Sequence, residues 1–380
     1  MKVLYVTDAI ANWGGIERIL VEKANYLVDN CGFDVHFITV NQGTHPILFS
    51  LSQNIHYSDL DIRFHQQYEY NGFRRFIKKW KLKRLFAERL RKYINEIKPN
   101  IIISARAELI SGILASKGRI PFVYESHSSY ISDCYLSDGW FSLLKSRRLN
   151  YRVRHAEMVV ALSNGDASDW KRITPNVCVI PNIVSLNKTG SYSSCENKIA
   201  IFVGRFSKQK DIGTLLKIWS IVSNRYPDWQ LHIYGGFGEE QNQLIDIIRE
   251  KYKNICVFPP TIDILEKYRE SSLLLLTSLF EPFGLVLPEA MSCGLPVIAF
   301  DCPYGPREII VDGVDGFVIA NRDIHQYVEK VCLLMGNQDL RVKMGKEGVK
   351  SASRFEDKKI MPQWISLFKT LARENLVKNK

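Results

Sequence analysis

The sequence predicts an α/β protein made of two successive units, each built around a parallel sheet. Three observations support this fold class: short apolar strands alternate with helical segments, the alternation stops at 184–197, and it resumes at Lys198. Such alternation favours a parallel sheet that is covered on both faces. With 380 residues, 46% of them hydrophobic and 24% charged, the chain can form two ordinary domains and is neither disordered nor fibrous.

The first unit should open with a strand, a turn, a helix and a second strand. Apolar β-rich runs at 3–7 and 35–40 flank a Gly-containing turn at 12–15 and an amphipathic period over 17–28. Further buried strands are expected at 101–104, 122–125, 158–162 and 177–180.

The second unit repeats this pattern after a polar segment that is rich in Ser and Asn, which is typical of a linker. Its strands are expected at 198–204, 230–234, 255–258, 273–277 and 296–300, and its helices at 212–225, at 239–252 and from about Pro288. We place the first domain at 1–185, the linker at 186–197, the second domain at 198–356 and an amphipathic helix at 357–380. The sequence leaves open whether this helix returns to the first domain.

Composition excludes several classes of protein. The eight cysteines include no Cys-x-x-Cys pair, which favours reduced thiols over a disulfide framework or a zinc site. Apolar runs such as Leu273–Leu276 are far shorter than the roughly 18–20 residues of a membrane-spanning helix. Thr7 and Asp8 interrupt the first apolar run before it reaches the length of a signal-peptide core. We therefore expect a cytoplasmic protein.

Two carboxylates eight positions apart form the strongest local pattern. Pro282 and Gly284 disfavour regular structure after Glu281, and Pro288 suits the first turn of a helix that would carry Glu289. A helix start offers N–H groups to a phosphate, and carboxylates accept hydrogen bonds from sugar hydroxyls. For two isolated acids, a helix cap and a surface Glu remain the simpler interpretation.

The residues around these acids resemble a known family. The stretch from Ser278 to Asp301, SLFEPFGLVLPEAMSCGLPVIAFD, is similar to the retaining nucleotide-sugar glycosyltransferases of the GT-B type, family 4, whose signature is E-x7-E. The similarity continues through 305–310 and 312–317. It implies two Rossmann-like α/β/α domains that face each other across a cleft, and transfer of a hexose or N-acetylhexosamine from a nucleotide sugar.

The donor-binding residues follow from this resemblance. Gly204 to Lys210, GRFSKQK, resembles the family's G-R-x-x-x-x-K turn, in which Arg205 and Lys210 would neutralise the diphosphate. A guanidinium fork and an ammonium point charge suit bridging phosphates, although a solvated basic loop would have the same sequence. The remaining donor-binding residues implied are Glu281, the backbone of Phe283, Gly284, Leu285 and Val286, the ribose ligand Glu289, and Gly235 in a turn beside the nucleotide.

The first domain should contribute residues toward the sugar and the acceptor. The loop WGGIER at 13–18 resembles the family's G-G-x-E-R loop and implies roles for Gly14, Gly15 and Glu17. His127 follows a predicted strand and matches a family His beside the reacting sugar, although a lone His is more often structural. Asn182 matches an Ile-Pro-Asn element, but the chain has Ile183 where the family usually has Gly.

A strongly basic helix is predicted in the first domain. Residues 74–98 contain eleven Lys or Arg and two Glu, with apolar and aromatic residues at spacings of three and four. The pattern is typical of an interfacial helix on an anionic membrane, and a docked helix with a solvated basic face is the alternative. Nucleic acid is disfavoured because no recognition motif accompanies the charge. We expect peripheral association with the inner face of the cytoplasmic membrane and a lipid-linked glycan as acceptor.

The remaining expectations concern metals, cofactors and rival functions. Asp59 and Asp61 form an Asp-x-Asp triplet, but no strand pattern precedes it and we interpret it as polar surface. We predict no metal and no cofactor, with the nucleotide sugar as substrate. The stretch 302–308 resembles transferases of bacterial surface-polysaccharide assembly that use UDP-sugars. The rivals are an oxidoreductase, which lacks its G-x-G-x-x-G here, and a non-catalytic membrane module on the same fold.

Overall fold

The computed structural model describes residues 1–11, 14–131, 141–235 and 239–378. These residues form two compact units, one of Met1–Ile183 with Asp357–Lys380 and one of Val184–Glu356. Each unit has its own parallel sheet and its own apolar core. The predicted α/β fold class is therefore confirmed.

The first unit contains a seven-stranded sheet in the order β3-β2-β1-β4-β5-β6-β7. All its strand pairs are parallel, so that Tyr5 lies beside Phe37 on one side and Ile103 on the other. The strands are β1 (Lys2–Thr7), β2 (Asp34–Thr39), β3 (His56–Asp59), β4 (Ile101–Ser104), β5 (Phe122–Ser126), β6 (Met158–Ala161) and β7 (Val177–Val179). The helices are α1 (Gly15–Asp29), α2 (Gly72–Ile97), α3 (Ile110–Ser116), α4 (Phe141–Val153), α5 (Asn164–Lys171) and α13 (Asp357–Lys378).

Helix α2 buries one narrow apolar stripe. Leu82, Phe86, Leu90 and Ile94 recur every four residues and pack into the core of the first unit. A Cβ atom on Gly112 of α3 would collide with the ring of Phe86, so glycine allows the two helices to approach closely. The first ten residues of α2, 72–81, include no buried residue, and their aromatic side chains are exposed.

The second unit contains a six-stranded sheet in the order β10-β9-β8-β11-β12-β13, again with parallel pairs. Its strands are β8 (Ile199–Val203), β9 (Gln230–Tyr234), β10 (Ile255–Phe258), β11 (Leu273–Leu276), β12 (Val297–Phe300) and β13 (Gly316–Ile319). Its helices are α6 (Ile212–Arg225), α7 (Glu239–Lys251), α8 (Ile264–Arg269), α9 (Val286–Ser292), α10 (Pro306–Ile309), α11 (Ile324–Met335) and α12 (Gln338–Ala352).

The structure differs from the sequence-based expectations in several elements. Strands β3 and β13 and helices α11 and α12 were not predicted. Strand β3 is polar and short, β13 begins inside the motif at 312–317, and the two helices lie outside the motifs. Helix α9 begins at Val286 rather than near Pro288, which still leaves Glu289 in its first turn.

The segment 186–197, expected to be a linker, belongs to the second unit. The backbone N–H of Asn187 donates to Ser292 Oγ at 3.1 Å, and that of Ser193 donates to the carbonyl of Cys293 at 2.9 Å. Arg341 Nη2 donates to the carbonyl of Cys195 at 2.7 Å. The C-terminal helix α13 belongs to the first unit, where it packs on α1 and β4 and buries Trp364.

The described residues bear on two of the expectations above, those on membrane-spanning helices and on disulfides. No helix among them combines the length and the apolar character needed to cross a membrane. The seven cysteines that lie within the described ranges are all free thiols.

The buried stripe of α2 predicts a large difference between two phenylalanines of the same helix. Phe86 is 2% exposed and Phe76 is 66% exposed. Phe86→Ala should lower the free energy of unfolding of the first unit by about 3–5 kcal/mol, because it removes buried apolar surface and leaves a cavity. Phe76→Ala is the matched control and should change it by less than about 0.5 kcal/mol. Urea unfolding measures both, and equal losses would contradict the packing of α2.

Candidate active site

The predicted donor-binding residues lie at one edge of the second sheet. Strands β8 and β11 are hydrogen-bonded neighbours, and the loops 204–211 and 277–285 follow their carboxyl ends. Carboxyl ends of parallel strands are where open α/β sheets bind ligands. Residues that are far apart in sequence therefore meet at this edge.

Lys210 and Glu281 form a direct ion pair. Lys210 Nζ lies 2.5 Å from Glu281 Oε1, and Ser278 Oγ donates to the same oxygen at 2.6 Å. The Glu281 side chain is 5% exposed and that of Lys210 is 15% exposed. A buried carboxylate requires such partners, because its desolvation would otherwise be costly. The pair therefore fixes the ammonium group of Lys210 at the strand ends.

A second ion pair connects the same two loops from the other side. Asp211 caps α6, accepting from the backbone N–H of Thr214 at 3.2 Å, and it also pairs with Arg322. Arg322 Nη2 donates to the carbonyls of Thr277 at 2.8 Å and Ser278 at 3.3 Å. The two pairs together hold the loop 204–211 against the loop that carries Glu281.

Sequence reasoning missed the residues of this second pair. An Asp before an amphipathic helix is an N-cap signal, which could have identified Asp211. Arg322 carries no local signal, since the three residues that it connects here, Asp211, Thr277 and Ser278, are at least 44 residues away in the sequence. Ser278 stood inside the family motif but was not singled out.

Arg205 lies in the same turn as Lys210 but is exposed. Among the described residues it has no ion-pair or hydrogen-bond partner, so its guanidinium is available to an anion.

Gly204 donates its N–H to the carbonyl of Tyr234 at 2.9 Å. Gly235 follows with a φ of +125°, and a Cβ atom there would collide with the carbonyl oxygen of Gly204. Glycine is therefore required at position 235, where the backbone approaches that of Gly204 closely. Residues 236–238 lie outside the described residues.

The segment from Glu281 to Glu289 is held by its backbone. The N–H of Glu281 donates to the carbonyl of Pro303 at 2.6 Å, and its carbonyl accepts from Tyr304 and Gly305 at 2.8 and 2.9 Å. Glu289 is buried in the first turn of α9, where Tyr268 Oη donates to its Oε2 at 3.3 Å. Glu281 and Glu289 therefore have separate partners.

The predicted backbone ligands lie between these two acids. Gly284 has a φ of +92°, and its carbonyl accepts from the N–H of Leu287 at 2.9 Å. Phe283 is buried with its ring edge-on to Phe355, at 5.2 Å between centroids. Leu285 and Val286 are half-buried at the start of α9.

In the first unit, His127 belongs to a buried charged cluster. His127 Nε2 lies 2.8 Å from Glu125 Oε2, and Lys23 Nζ of α1 contacts the same oxygen. The ammonium group of Lys23 also lies 3.9 Å above the ring of Trp364. All three ionisable side chains are almost completely buried. The cluster fixes the imidazole of His127 at the carboxyl end of β5.

The titration of this cluster reflects a competition between burial and charge. Burial favours the neutral form of Glu125, but the attraction of Lys23 and His127 is stronger and lowers the pKa of that carboxyl. Burial lowers the pKa of His127 and of Lys23, although Glu125 opposes both changes. Glu125 had a sequence signal that was not used, namely a charged residue inside an apolar strand.

The other predicted residues of the first unit lie near the start of α1 and beyond β7. Gly14 precedes the helix in extended conformation, Gly15 is its exposed first residue, and Trp13 lies outside the described residues. Glu17 is buried and pairs with Arg106, which follows β4. Asn182 is buried beyond the end of β7. Arg106 was not anticipated.

The Asp-x-Asp triplet requires a correction, because strand β3 does precede it. Asp59 is the last residue of β3, and its carboxylate accepts from Thr39 Oγ1 at 3.0 Å and from the N–H of Gly43 at 2.9 Å. Asp61 pairs with Arg63 at 2.5 Å on the surface. Asp59 therefore holds the loop after β2.

A buried acid next to His127 was not predicted at all. Asp166 of α5 accepts from Ser126 Oγ at 2.8 Å and from the N–H of Tyr130 at 2.7 Å. Trp170 Nε1 donates to the same Ser126 oxygen at 2.8 Å. Burial raises the pKa of Asp166 to about 6, against the effect of these hydrogen bonds. Asp166 thus holds both ends of the segment that contains His127.

Comparison with known proteins identifies similar chains for both units. Residues 187–351 match the family model for glycosyl transferases group 1, and residues 13–188 match that for glycosyltransferase family 4. The chain is 26% identical over 370 residues to an uncharacterized glycosyltransferase of Haemophilus influenzae, covering 96% of this chain and 98% of that protein. It is 27% identical over 375 residues to the amylovoran biosynthesis glycosyltransferase AmsD of Erwinia amylovora, with the same two coverages.

A solved structure has the same fold. TarM of S. aureus, crystallised as a variant with fondaparinux, alpha-GlcNAc-glycerol and UDP, superposes with a TM-score of 0.79 at 14% identity. The match covers 97% of this chain and all of that chain. Together with the two family matches, this likeness confirms the resemblance and the predicted fold class.

The pKa of Asp166 predicts a specific pH dependence of stability. The folded protein retains the proton up to about pH 6, whereas the unfolded chain loses it near pH 4. The unfolded state therefore binds fewer protons in this window, and the Asp166 contribution to stability falls as pH rises. Relative to Asp166→Asn, the wild type should lose about 2 kcal/mol between pH 4.5 and 7.5. Urea unfolding of both proteins at the two pH values measures it, and parallel pH curves would contradict it.

Proposed function

Since the chain belongs to the GT-B glycosyltransferases of family 4, we propose that it transfers a hexose or N-acetylhexosamine from a UDP-sugar to a lipid-linked glycan. The transfer would retain the anomeric configuration and would serve bacterial surface-polysaccharide synthesis. The observation that carries this proposal is the Lys210–Glu281 pair, with exposed Arg205 in the same turn.

The two cations suit a diphosphate leaving group. Negative charge develops on the diphosphate as the bond to the sugar breaks, and donors already in place stabilise it best. Lys210 has three N–H donors, so it can keep Glu281 and still donate to a phosphate oxygen. Arg205 supplies a planar fork for two phosphate oxygens. We propose that these charges replace a metal ion in the transfer step.

The other residues of the second unit would bind the remainder of the donor. The Glu289 carboxylate would accept from a ribose hydroxyl. Among the described residues the donors to Glu281 contact Oε1, so its Oε2 would accept from a sugar hydroxyl. The backbone from Phe283 to Val286 would approach the phosphates. In the first unit, the Lys23–Glu125 pair would hold His127 for a sugar hydroxyl.

Names of similar proteins support the donor and the product class. The E. amylovora relative acts in amylovoran biosynthesis, and the TarM crystal contains UDP and an alpha-GlcNAc compound. The stretch 302–308 resembles enzymes of the same class. UDP is therefore the nucleotide that we propose, and glucose-type hexoses or their N-acetyl derivatives are the sugars to test first.

The surface of α2 supports a membrane-bound acceptor. Phe73, Phe76 and Trp80 are 76%, 66% and 55% exposed, and Arg74, Arg75, Lys78 and Lys79 lie between them. Burial, together with the nearby charges of Arg152, Lys79 and Arg148, lowers the pKa of Lys83, so α4 extends the basic surface of α2. Exposed aromatic residues among cations are typical of segments that bind an anionic bilayer surface. We propose that this surface places the protein on the inner face of the cytoplasmic membrane.

Removal of either diphosphate cation should abolish most activity. Arg205→Ala and Lys210→Ala should each lower turnover by about 10² or more, since each removes one preorganised charge. Lys208→Ala is the matched control, an exposed lysine of the same turn, and should keep wild-type turnover. UDP release with a panel of UDP-hexoses and UDP-N-acetylhexosamines measures the rates, and NMR of the product shows the anomer. Wild-type turnover in both folded variants, or an inverted product, would reject the proposed mechanism.

Charge reversal on α2 should release the protein from membranes. Replacement of Arg74, Arg75, Lys78 and Lys79 by Glu should abolish sedimentation with anionic vesicles, whereas UDP-sugar hydrolysis should remain. Wild-type binding should decrease with salt, because screening acts over about 8–10 Å, and should be weak on neutral vesicles. The control reverses four exposed lysines of the second unit: Lys217, Lys253, Lys343 and Lys346. Equal binding to neutral and anionic vesicles, or equal loss in the control, would indicate a soluble acceptor.

A further inference from the structure

A cluster of two imidazoles and one carboxylate lies at the edge of the first sheet, away from the candidate active site. Asp34 and His36 belong to β2 and His56 is the first residue of β3, the neighbouring edge strand. Asp34 and His56 occupy the amino ends of their strands, whereas His127 follows the carboxyl end of β5. Parallel strands place these two kinds of end at opposite edges of the sheet.

The three side chains converge on one point. Asp34 Oδ1 lies 3.3 Å from His36 Nε2 and 3.6 Å from His56 Nε2, and one ligand atom from each residue lies within 4.8 Å of the others. Ligands at about 2.0–2.1 Å from a tetrahedral ion lie roughly 3.3–3.4 Å apart. The separation between Asp34 and His36 matches this value, the separation between Asp34 and His56 is longer at 3.6 Å, and a rotation of the exposed His56 ring would adjust both contacts of His56.

The carboxylate oxygen at the centre of the cluster has no donor of good hydrogen-bond geometry among the described residues, although His36 Nε2 lies 3.3 Å from it. Asp34 Oδ1 is buried and accepts no hydrogen bond of acceptable geometry from the described residues. Lys2 Nζ lies 3.4 Å from the other oxygen, Oδ2, which leaves Oδ1 directed toward the imidazoles. A buried acceptor without a donor costs free energy, and a cation at this point would remove that cost.

One imidazole is already oriented by a second residue. His36 Nδ1 lies 2.9 Å from the hydroxyl of Tyr93, which belongs to α2. When Nδ1 donates to this hydroxyl, Nε2 keeps its lone pair and presents it to the cluster. Metal-binding histidines are commonly oriented by such a bond from the second ring nitrogen. The rings of His36 and His56 are stacked, with 4.7 Å between centroids, and the exposed His56 ring would turn out of this stack to direct its Nε2 lone pair at the same ion.

From these contacts we propose that Asp34, His36 and His56 bind a divalent transition-metal ion of the zinc type. Two imidazole nitrogens and one carboxylate oxygen are a donor set that zinc accepts, with water as fourth ligand. The ion would connect the start of β2 to the start of the short edge strand β3. It would lie at the opposite edge of the sheet from His127, so the transfer step would not depend on it.

Metal titration of the untagged full-length chain tests this proposal. After chelator treatment and dialysis, calorimetry with Zn²⁺ should give one site per chain, and Co²⁺ should give the visible absorption of a four-coordinate ion. His56→Gln and Asp34→Asn should each weaken Zn²⁺ binding at least about tenfold, and Tyr93→Phe should weaken it by about 10–100-fold. Zn²⁺ should also raise the Tm of the wild type and not that of His56→Gln.

The matched control is His325→Gln. His325 is an exposed histidine with a carboxylate neighbour, Glu329, at 3.7 Å, but it lacks a second imidazole. This variant should bind Zn²⁺ as the wild type does. Thermal unfolding without metal verifies that each variant is folded. The absence of a stoichiometric site, or the same affinity in the wild type, His56→Gln and Asp34→Asn, would overturn the proposal.

Discussion

The buried carboxylate of Glu281 determines how the donor-side loops are arranged. A charge at this depth is tolerated only with a cation and further hydrogen bonds, which Lys210 and Ser278 provide. Because Lys210 follows β8 and Glu281 follows β11, this single requirement brings two loops together at the carboxyl edge of the sheet. The Asp211–Arg322 pair strengthens the same junction. Arg205, which has no such partner among the described residues, is exposed to solvent.

The first unit contains a second buried carboxylate, that of Glu125, which is stabilised in the same way. Glu125 is buried at the carboxyl end of β5, and Lys23 and His127 share one of its oxygens. In both units a lysine compensates a buried carboxylate. The pair, rather than apolar packing, fixes the position of a candidate functional side chain, Lys210 in the second unit and His127 in the first. Such rigid placement suits catalysis, which requires charged and polar groups that need no reorganisation during the reaction. Loss of one partner of either pair would leave the other buried and uncompensated.

The two edges of the first sheet have distinct chemistry. The carboxyl edge has the charged cluster around Glu125 and the Asp166 hydrogen bonds, while the amino edge has Asp34, His36 and His56. The first ten residues of helix α2, 72–81, contribute to neither edge, and their aromatic side chains face solvent. The rest of the helix supplies core residues and the Tyr93 hydroxyl that contacts His36. One helix thereby combines a packing role with an exposed surface of basic and aromatic residues.

Local patterns in the sequence determined the alternating strands and helices, the position of Glu281 and Glu289 around a helix start, and the basic turn from Arg205 to Lys210. These features depend on neighbouring residues, on periodicity and on motifs, which a single sequence displays directly. The tertiary structure decided which charges pair. Lys210 and Glu281 are 71 residues apart, Lys23 and Glu125 are 102 apart, and Asp211 and Arg322 are 111 apart. It also decided that α13 belongs to the first unit and that His36 and His56 meet on adjacent strands. Strand order brings such residues together, and strand order depends on packing across the whole sheet rather than on any local pattern.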